Sequence, residues 1–194
     1  MTAAGFRRVL ARGEVRALSR RYFIANGFDG VLTCIGVVLG AYLSGVTDGF
    51  GVIAIGLGAA VGLGTSGIWS VWEIERAETT RRRQELEDAM LTDLEDTRLT
   101  RDLRMEQTVH ALAAAAGPVI GVLLTLSPFV LEGVVFSPPE ALAASLVTGV
   151  VLLGIVGAYL GRISKQRWYV AAVRMGLAGV VVAALSLVLP GSGT

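Results

Sequence analysis

The stretch YFIANGFDGVLTCIGVVLGAYLSG, residues 22–45, decides how the rest of the chain is read. It is long enough to cross a bilayer as a helix, for which about 20 apolar residues suffice, yet it holds one carboxylate, Asp29. An ionised side chain at mid-bilayer costs about 3 kcal/mol, so an aspartate in such a place reads first as a functional group. Arg20 and Arg21 mark the expected water boundary, and at about 1.5 Å per helical residue Asp29 would lie about 12 Å deeper. Steps of three and four residues from Asp29 reach Tyr22, Asn26, Thr33, Gly36, Gly40 and Ser44, a polar or small stripe. The opposite face carries Val31, Ile35, Val38 and Tyr42, suited to lipid or apolar neighbours. Two readings follow for the stripe. It lines a polar path for ions or protons, or Asp29 is a hydrogen-bonded strut beside a small-xxx-small packing site at Gly36 and Gly40.

Outward from this stretch, the composition is that of a membrane protein. Of 194 residues 53% are hydrophobic and 25 are glycine, with a mean hydropathy of +0.64, too apolar for an ordinary soluble domain. Runs of spanning length lie at residues 22–44, 50–72, 109–131, 141–161 and 168–189. Basic residues gather in the N-terminal arm (Arg7, Arg8, Arg12, Arg16, Arg20, Arg21), after the second run, and around the turn after the fourth (Arg162, Lys165, Arg167, with Arg174 just inside the fifth run). The other loops hold only Asp48, Glu132 and Glu140. Since Lys and Arg are retained in the cytoplasm, the N-terminus is expected inside and the C-terminus outside. Trp69, Trp72, Trp168 and Tyr169 would then gather at the inner interface, where rings sit half wet. The Arg-rich arm has no short apolar core with a small-residue cleavage site, so no cleavable signal peptide is expected. The single cysteine, Cys34, cannot form an internal disulfide.

The expected fold class is therefore all-α: a polytopic membrane protein with five transmembrane helices and a helical cytoplasmic extension between helices two and three. Its segments are a basic cytoplasmic arm (1–21), helices one and two (22–72), the charged extension (73–108), helices three to five (109–189) and an extracytoplasmic tail (190–194).

The extension, EIERAETTRRRQELEDAMLTDLEDTRLTRDLRME from Glu73 to Glu106, has no Gly or Pro and many helix formers. Eleven acids face seven arginines. Glu75, Glu78, Glu85, Asp88 and Glu95 share one helical face with Arg82, while Leu86, Met90, Leu94 and Leu103 suggest an apolar docking strip. A solvated helix laced by pairs such as Glu78 with Arg82 and Arg81 with Glu85 explains this pattern, each pair contributing a few tenths of a kcal/mol. A carboxylate surface that gathers divalent cations explains it too, because oxygen ligands suit Mg, Mn and ferrous iron. The dense arginines favour the first reading.

The run FIANGFDGVLTCIGVVLGA resembles the first span of the vacuolar iron transporter family, with its Asp-Gly followed by a Thr and a glycine-spaced apolar stretch. GLGTSGIWSVWEIERAE is similar to that family's second span running into a charged cytoplasmic helix, and GAYLGRISKQRWYVAAVRMGLAG to its turn from span four to span five. The resemblance covers nearly the whole chain. It implies export of Fe2+ or Mn2+ from the cytoplasm coupled to proton entry, by a homodimer whose path lies between the first spans of two subunits. Asp29 stands at the family's pore aspartate, so two copies would face each other across a two-fold axis. Such a site would exchange protons for metal, with Asn26 and Thr33 supplying neutral oxygens or, alternatively, hydrogen bonds between helices. Members carry a methionine and a glutamate in span two, in a pattern like S-M-x-x-G-E-Y. With Ser66 on that serine, Gly67 and Val71 stand in their places. Ser66, Ser70 and Glu73 share a face that could line the inner mouth. Glu75, Glu78, Glu85 and Asp88 are the counterparts the resemblance suggests for the cytoplasmic metal-binding carboxylates, with Met90 as a sulfur ligand or a packing residue.

His110 is the only histidine. It is read as an interfacial or capping residue, with pH sensing the lesser alternative. Pro118 and Pro128 fall inside the third span, where they could kink it. Gly154, Gly157 and Gly161 read as helix packing, and Arg174 either snorkels to the inner interface or pairs with an acid such as Glu73, the first being favoured. No nucleophile-base arrangement or phosphate-cradling loop is present, so a transporter is expected rather than an enzyme, with no tightly bound cofactor. The basic residues are explained by orientation and suggest no nucleic-acid partner. The partners expected are the bilayer, divalent metal ions, protons and a second copy. The rival reading is a non-transporting scaffold or metal-sensing membrane protein that keeps the family fold without its full ligand set.

Overall fold

The computed structural model describes residues 11–91 and 97–188. The arm up to residue 10, Asp93, Leu94, Glu95 and Asp96, and the tail 190–194 lie outside them. The described residues form five helices long and apolar enough to cross a membrane, and no strand: α1 Gly13–Leu43, α2 Gly49–Met90, α3 Arg98–Val130, α4 Pro138–Ile163 and α5 Trp168–Val188. Each expected apolar run lies within, or within a residue or so of, one of these helices. The chain is an integral, multi-pass membrane protein.

Local chemistry starts and stops these helices. The Asp48 side chain accepts from the Gly51 N–H at 2.7 Å at the start of α2, a satisfied N-cap. Thr97 does the same for Thr100 at α3. At α4 the Glu140 carboxylate accepts from the Ser137 N–H at 2.8 Å, followed at once by Pro138 and Pro139 in the first turn. Gly45, with φ 89°, makes the tight turn out of α1.

α2 runs 42 residues without a break, about 63 Å at helical rise, twice the thickness of a hydrocarbon core. Its second half is the charged segment, helical as expected as far as Met90. Leu91 in the left-handed region ends it. The N-terminus of α1, the C-termini of α2 and α4 and the N-termini of α3 and α5 lie at one end of the bundle, called the charged end below.

α3 is the central helix. In its most apolar stretch 61% of residues are buried, against 11% in α5. α1 and α2 pack on α3, and α4 and α5 form a hairpin beside them. Both prolines stay within the continuous α3, and Pro118 is a packing residue: a Cβ on Gly30 of α1 would meet the Pro118 backbone at 2.5 Å, and one on Gly117 would meet the Phe23 carbonyl at 2.2 Å. Only glycine allows this crossing. The same device closes the hairpin, where a Cβ on Gly157 would meet the Ala171 carbonyl at 2.5 Å. Around the crossing, Cys34, Val38, Val52, Val122, Leu126 and Phe129 form a buried core. Buried hydroxyls within it are satisfied, Ser145 donating to the Thr125 carbonyl at 2.7 Å and Thr125 to that of Gly121 at 2.8 Å.

Candidate functional site

The α1–α3 crossing fixes which way Asp29 faces. Gly27, Gly30, Val31, Cys34 and Val38 turn toward α3 and the core, so the residues about 180° away turn out of the bundle. Asp29, Thr33 and Gly40 are exposed, with Tyr22, Asn26 and Gly36 partly so. Among the described residues Asp29 has neither a hydrogen bond nor an ion pair. The Asn26 amide donates back to the Tyr22 carbonyl at 3.1 Å. Within one chain the Gly36/Gly40 pair is not a packing site. A Cβ at Gly40 would meet nothing within 4 Å and one at Gly36 only side-chain atoms of α5 at 3.9 Å, the close approach being made instead by Gly27 and Gly30. The strut reading of Asp29 therefore has no partner among the described residues, and Asp29, Thr33 and Gly40 are left open along the outside of α1.

A second polar cluster sits at the charged end, where α1, α2 and α3 meet. The Glu75 carboxylate accepts from the Tyr22 hydroxyl at 2.8 Å, and its other oxygen lies 3.2 Å from His110 Nδ1. The Tyr22 and His110 rings are 5.9 Å apart. His110 is 3% exposed, and among the described residues neither of its buried ring nitrogens makes a well-aligned hydrogen bond, the Glu75 contact being one of ion-pair distance. This corrects the reading of His110 as an interfacial or capping residue: α3 turns it into the bundle, because His110 shares a face with Leu103, Gln107, Ala114 and Gly117, which pack on the neighbouring helices. Glu75 lies on the charged part of α2, beyond its apolar stretch. Its carboxyl is held below the ordinary 4.5, first by the adjacent His110 and further by the hydrogen bond from Tyr22, against a burial effect that acts upward. One turn along α3, Gln107 donates to the Trp72 carbonyl at 2.8 Å. Farther toward its N-terminus Asp102 and Glu106 both hold the Arg12 guanidinium, whose own pKa is raised chiefly by the Glu106 hydrogen bond. Neither the His110 contact nor the Arg12 clasp was legible in the sequence, since each joins residues about 35 to 95 positions apart. The polar spacing Asp102, Glu106, His110 along one α3 face was the available signal.

The other candidates on α2 stay apart from both clusters. Ser66, Ser70 and Glu73 are exposed, Ser70 donating to the Ser66 carbonyl at 2.7 Å and Glu73 lying 3.8 Å from Arg76. Glu78 and Glu85 both contact Arg81, at 3.1 and 3.6 Å. The expected Arg81–Glu85 pair is present. Glu78 is taken by Arg81 and not by Arg82, because an i,i+3 step also brings side chains together. Asp88 and Met90 are exposed. Among the described residues no three His, Cys, Asp or Glu side chains are grouped to hold a metal ion, so one chain does not gather Glu75, Glu78, Glu85 and Asp88 into a ligand set. Glu95 lies outside the described residues. Gly67 and Val71 turn toward α3: a Cβ on Gly67 would lie 2.9 Å from the Ala114 carbonyl, and Val71 is buried.

Five apolar helices, the second of them running on into a long charged stretch, make the frame within which both clusters sit. A model of the VIT family matches residues 70–190. The chain belongs to the VIT family. An uncharacterized protein of Methanocaldococcus jannaschii is 29% identical over 172 residues, an alignment that covers 87% of each chain. Members of the VIT family are membrane metal-ion transporters, and the α2–α5 part of this chain carries the match. The segment with Asp29 lies before residue 70, outside the family match, so the role of that residue is argued from its geometry.

Proposed function

We propose that this VIT-family member exports a divalent cation, Fe2+ or Mn2+, from the cytoplasm in exchange for protons, along a path between the α1 helices of two copies. The observation that carries the reading is Asp29: a carboxylate within an apolar helix, exposed on the outside of the bundle and without a partner among the described residues. Facing lipid, such a group is costly. Facing its twin across a two-fold axis, with Thr33 and the open Gly40 on the same stripe, it becomes part of a polar seam in which small residues let two helices approach. The two carboxylates would supply hard oxygen ligands to the cation and, in its absence, hold protons. Asn26 and Thr33 would lend neutral oxygens a turn to either side. Ser66, Ser70 and Glu73 on the exposed face of α2 would line the approach from the charged end. The cations at that end favour its placement in the cytoplasm, with the C-terminus outside.

The experiment is flux in proteoliposomes. With a pH gradient imposed, the protein should move Fe2+ or Mn2+, and Asp29→Asn should lose that movement while eluting and melting as the unmutated protein does. If the Asn variant transports at the full rate, the seam is not the path. A second reading, a membrane scaffold or metal sensor that does not transport, is favoured by α2: the positions where the family carries Met and Glu hold Gly67 and Val71, closed against α3. Absence of flux for both ions under every gradient, with metal binding retained, would select it.

A further inference from the structure

The positive charge at one end of the α4–α5 hairpin is not paired with a carboxylate among the described residues. From Ala141 to the end of the sequence there is no Asp or Glu, and the four cations there, Arg162, Lys165, Arg167 and Arg174, are all at one end of the hairpin and all exposed. Among the described residues none of the four is within ion-pair distance of a carboxylate. Among the described residues the neighbouring helices do not supply one either. α5 packs on α4 and on α1. It meets α1 at the far end, where Gly36 faces Val182 and Ser186 and Gly179 faces Ile35.

Three of these cations sit in or beside the interhelical turn, where water solvates them. Arg174 does not. It is the seventh residue of α5, about 9 Å along the helix from Trp168, on a face whose neighbours at steps of three, four and seven are Leu177, Val170 and Val181, exposed apolar residues of a lipid-facing stripe. Arg167, immediately before the first residue of α5, lies at the same end of the helix. An arginine in this position lays its stem along the helix and carries its guanidinium back toward the membrane surface. Carried back in this way it would reach toward the level of Arg167 and of half-exposed Trp168 and Tyr169, where the Arg162 guanidinium already lies 5.9 Å from the Trp168 ring centroid. Guanidinium groups bind phosphate through paired N–H donors, and the aromatic rings mark the depth at which lipid phosphates lie.

We infer that the charged end of the α4–α5 hairpin is a binding site for the phosphate of an anionic phospholipid, held by Arg167 and Arg174 with Arg162 and Lys165 at its rim. The site is independent of the transport path on α1.

Native mass spectrometry of the full chain, offered equal amounts of phosphatidylglycerol and phosphatidylcholine, tests it. The unmutated protein should retain phosphatidylglycerol in preference, and each cation removed should lower the preference about fivefold. Arg167→Gln with Arg174→Gln should thus lower it at least about tenfold, with helix content by circular dichroism unchanged, and Arg174→Lys should keep most of it. Removing two cations at the same end of α1, Arg20→Gln with Arg21→Gln, should leave the preference within about twofold, since a local site and not a diffuse field is responsible. Undiminished preference in the hairpin double variant, or an equal loss in the α1 double variant, overturns the inference. So does displacement of the lipid by millimolar glycerol phosphate, which would make the site one for soluble phosphates.

Discussion

Asp29 and Glu75 are both carboxylates on helices that begin or end in an apolar stretch, and the fold treats them in opposite ways. Glu75 is drawn into the junction of three helices, where a tyrosine hydroxyl and a histidine take its two oxygens. Asp29, two helical turns beyond Tyr22, is pushed out of the bundle and given no partner among the described residues. The difference follows from the α1–α3 crossing: the glycine side of α1 has to face Gly117 and Pro118 for the backbones to approach, and Asp29 is on the other side. A carboxylate that its own chain satisfies contributes stability. One left open in an apolar setting is a liability unless a second chain, an ion or a proton answers it.

The sharpest way to break this contrast is to neutralise each group and read both flux and stability. Asp29→Asn should reduce proton-driven metal flux by at least about tenfold, as loss of a charged ligand requires, with a melting temperature within about 2 °C of the original because no native contact is lost. Glu75→Ala should do the reverse, destabilising the protein by about 2 kcal/mol through the buried imidazole and phenol it orphans, read as a lowered melting temperature in detergent, with flux per folded molecule largely kept. Were both variants to lose flux alone, the two carboxylates would belong to one pathway.

A pH titration sharpens the same contrast with a smaller effect. Because the Glu75 carboxyl is held below 4.5 in the folded protein, the stability it contributes is fully present above its unfolded pKa and is lost as pH falls through the lower folded value. Melting temperature should therefore fall on acidification below about pH 4.5, less steeply in Glu75→Gln. His110→Ala, which removes the largest cause of the depression, should bring the folded pKa up toward the unfolded one and so make that loss smaller. Equal slopes in all three proteins would show that Glu75 is not held by its neighbours. The smallest change expected is Thr33→Val, which removes one neutral oxygen from the outward stripe and should slow flux severalfold, about the effect of one neutral hydrogen bond, without a shift in melting temperature.

Much of this was readable from residues alone, and the reasons are specific. The 3.6-residue period places Tyr22, Asn26, Asp29 and Thr33 on one face whatever surrounds them, and the apolar run lengths set five helices. The continuity of α2 to Met90 followed from an extension without Gly or Pro. Pairing was a different matter. Gly36 and Gly40 have the spacing of a packing motif, but Gly27 and Gly30 make the contact, because only they meet Gly117 and Pro118. His110, at the edge of an apolar run, was indistinguishable from an interfacial residue until α3 was seen to turn it inward. The family pattern in α2 raised the question of missing ligands, and the burial of Val71 and closure of Gly67 gave it a physical form.

The sequence by itself determined the membrane class, the five helices, the family and which residues share each helical face, since all of these rest on local hydropathy, periodicity and motif order. Only the tertiary structure decided which faces are closed and which are open. It closed the glycine side of α1 on α3, joined Glu75 to Tyr22 and His110, and left Asp29 and the hairpin cations without a carboxylate or cation to pair with among the described residues. Those outcomes depend on contacts between residues far apart in sequence, and a helix's own period is blind to them.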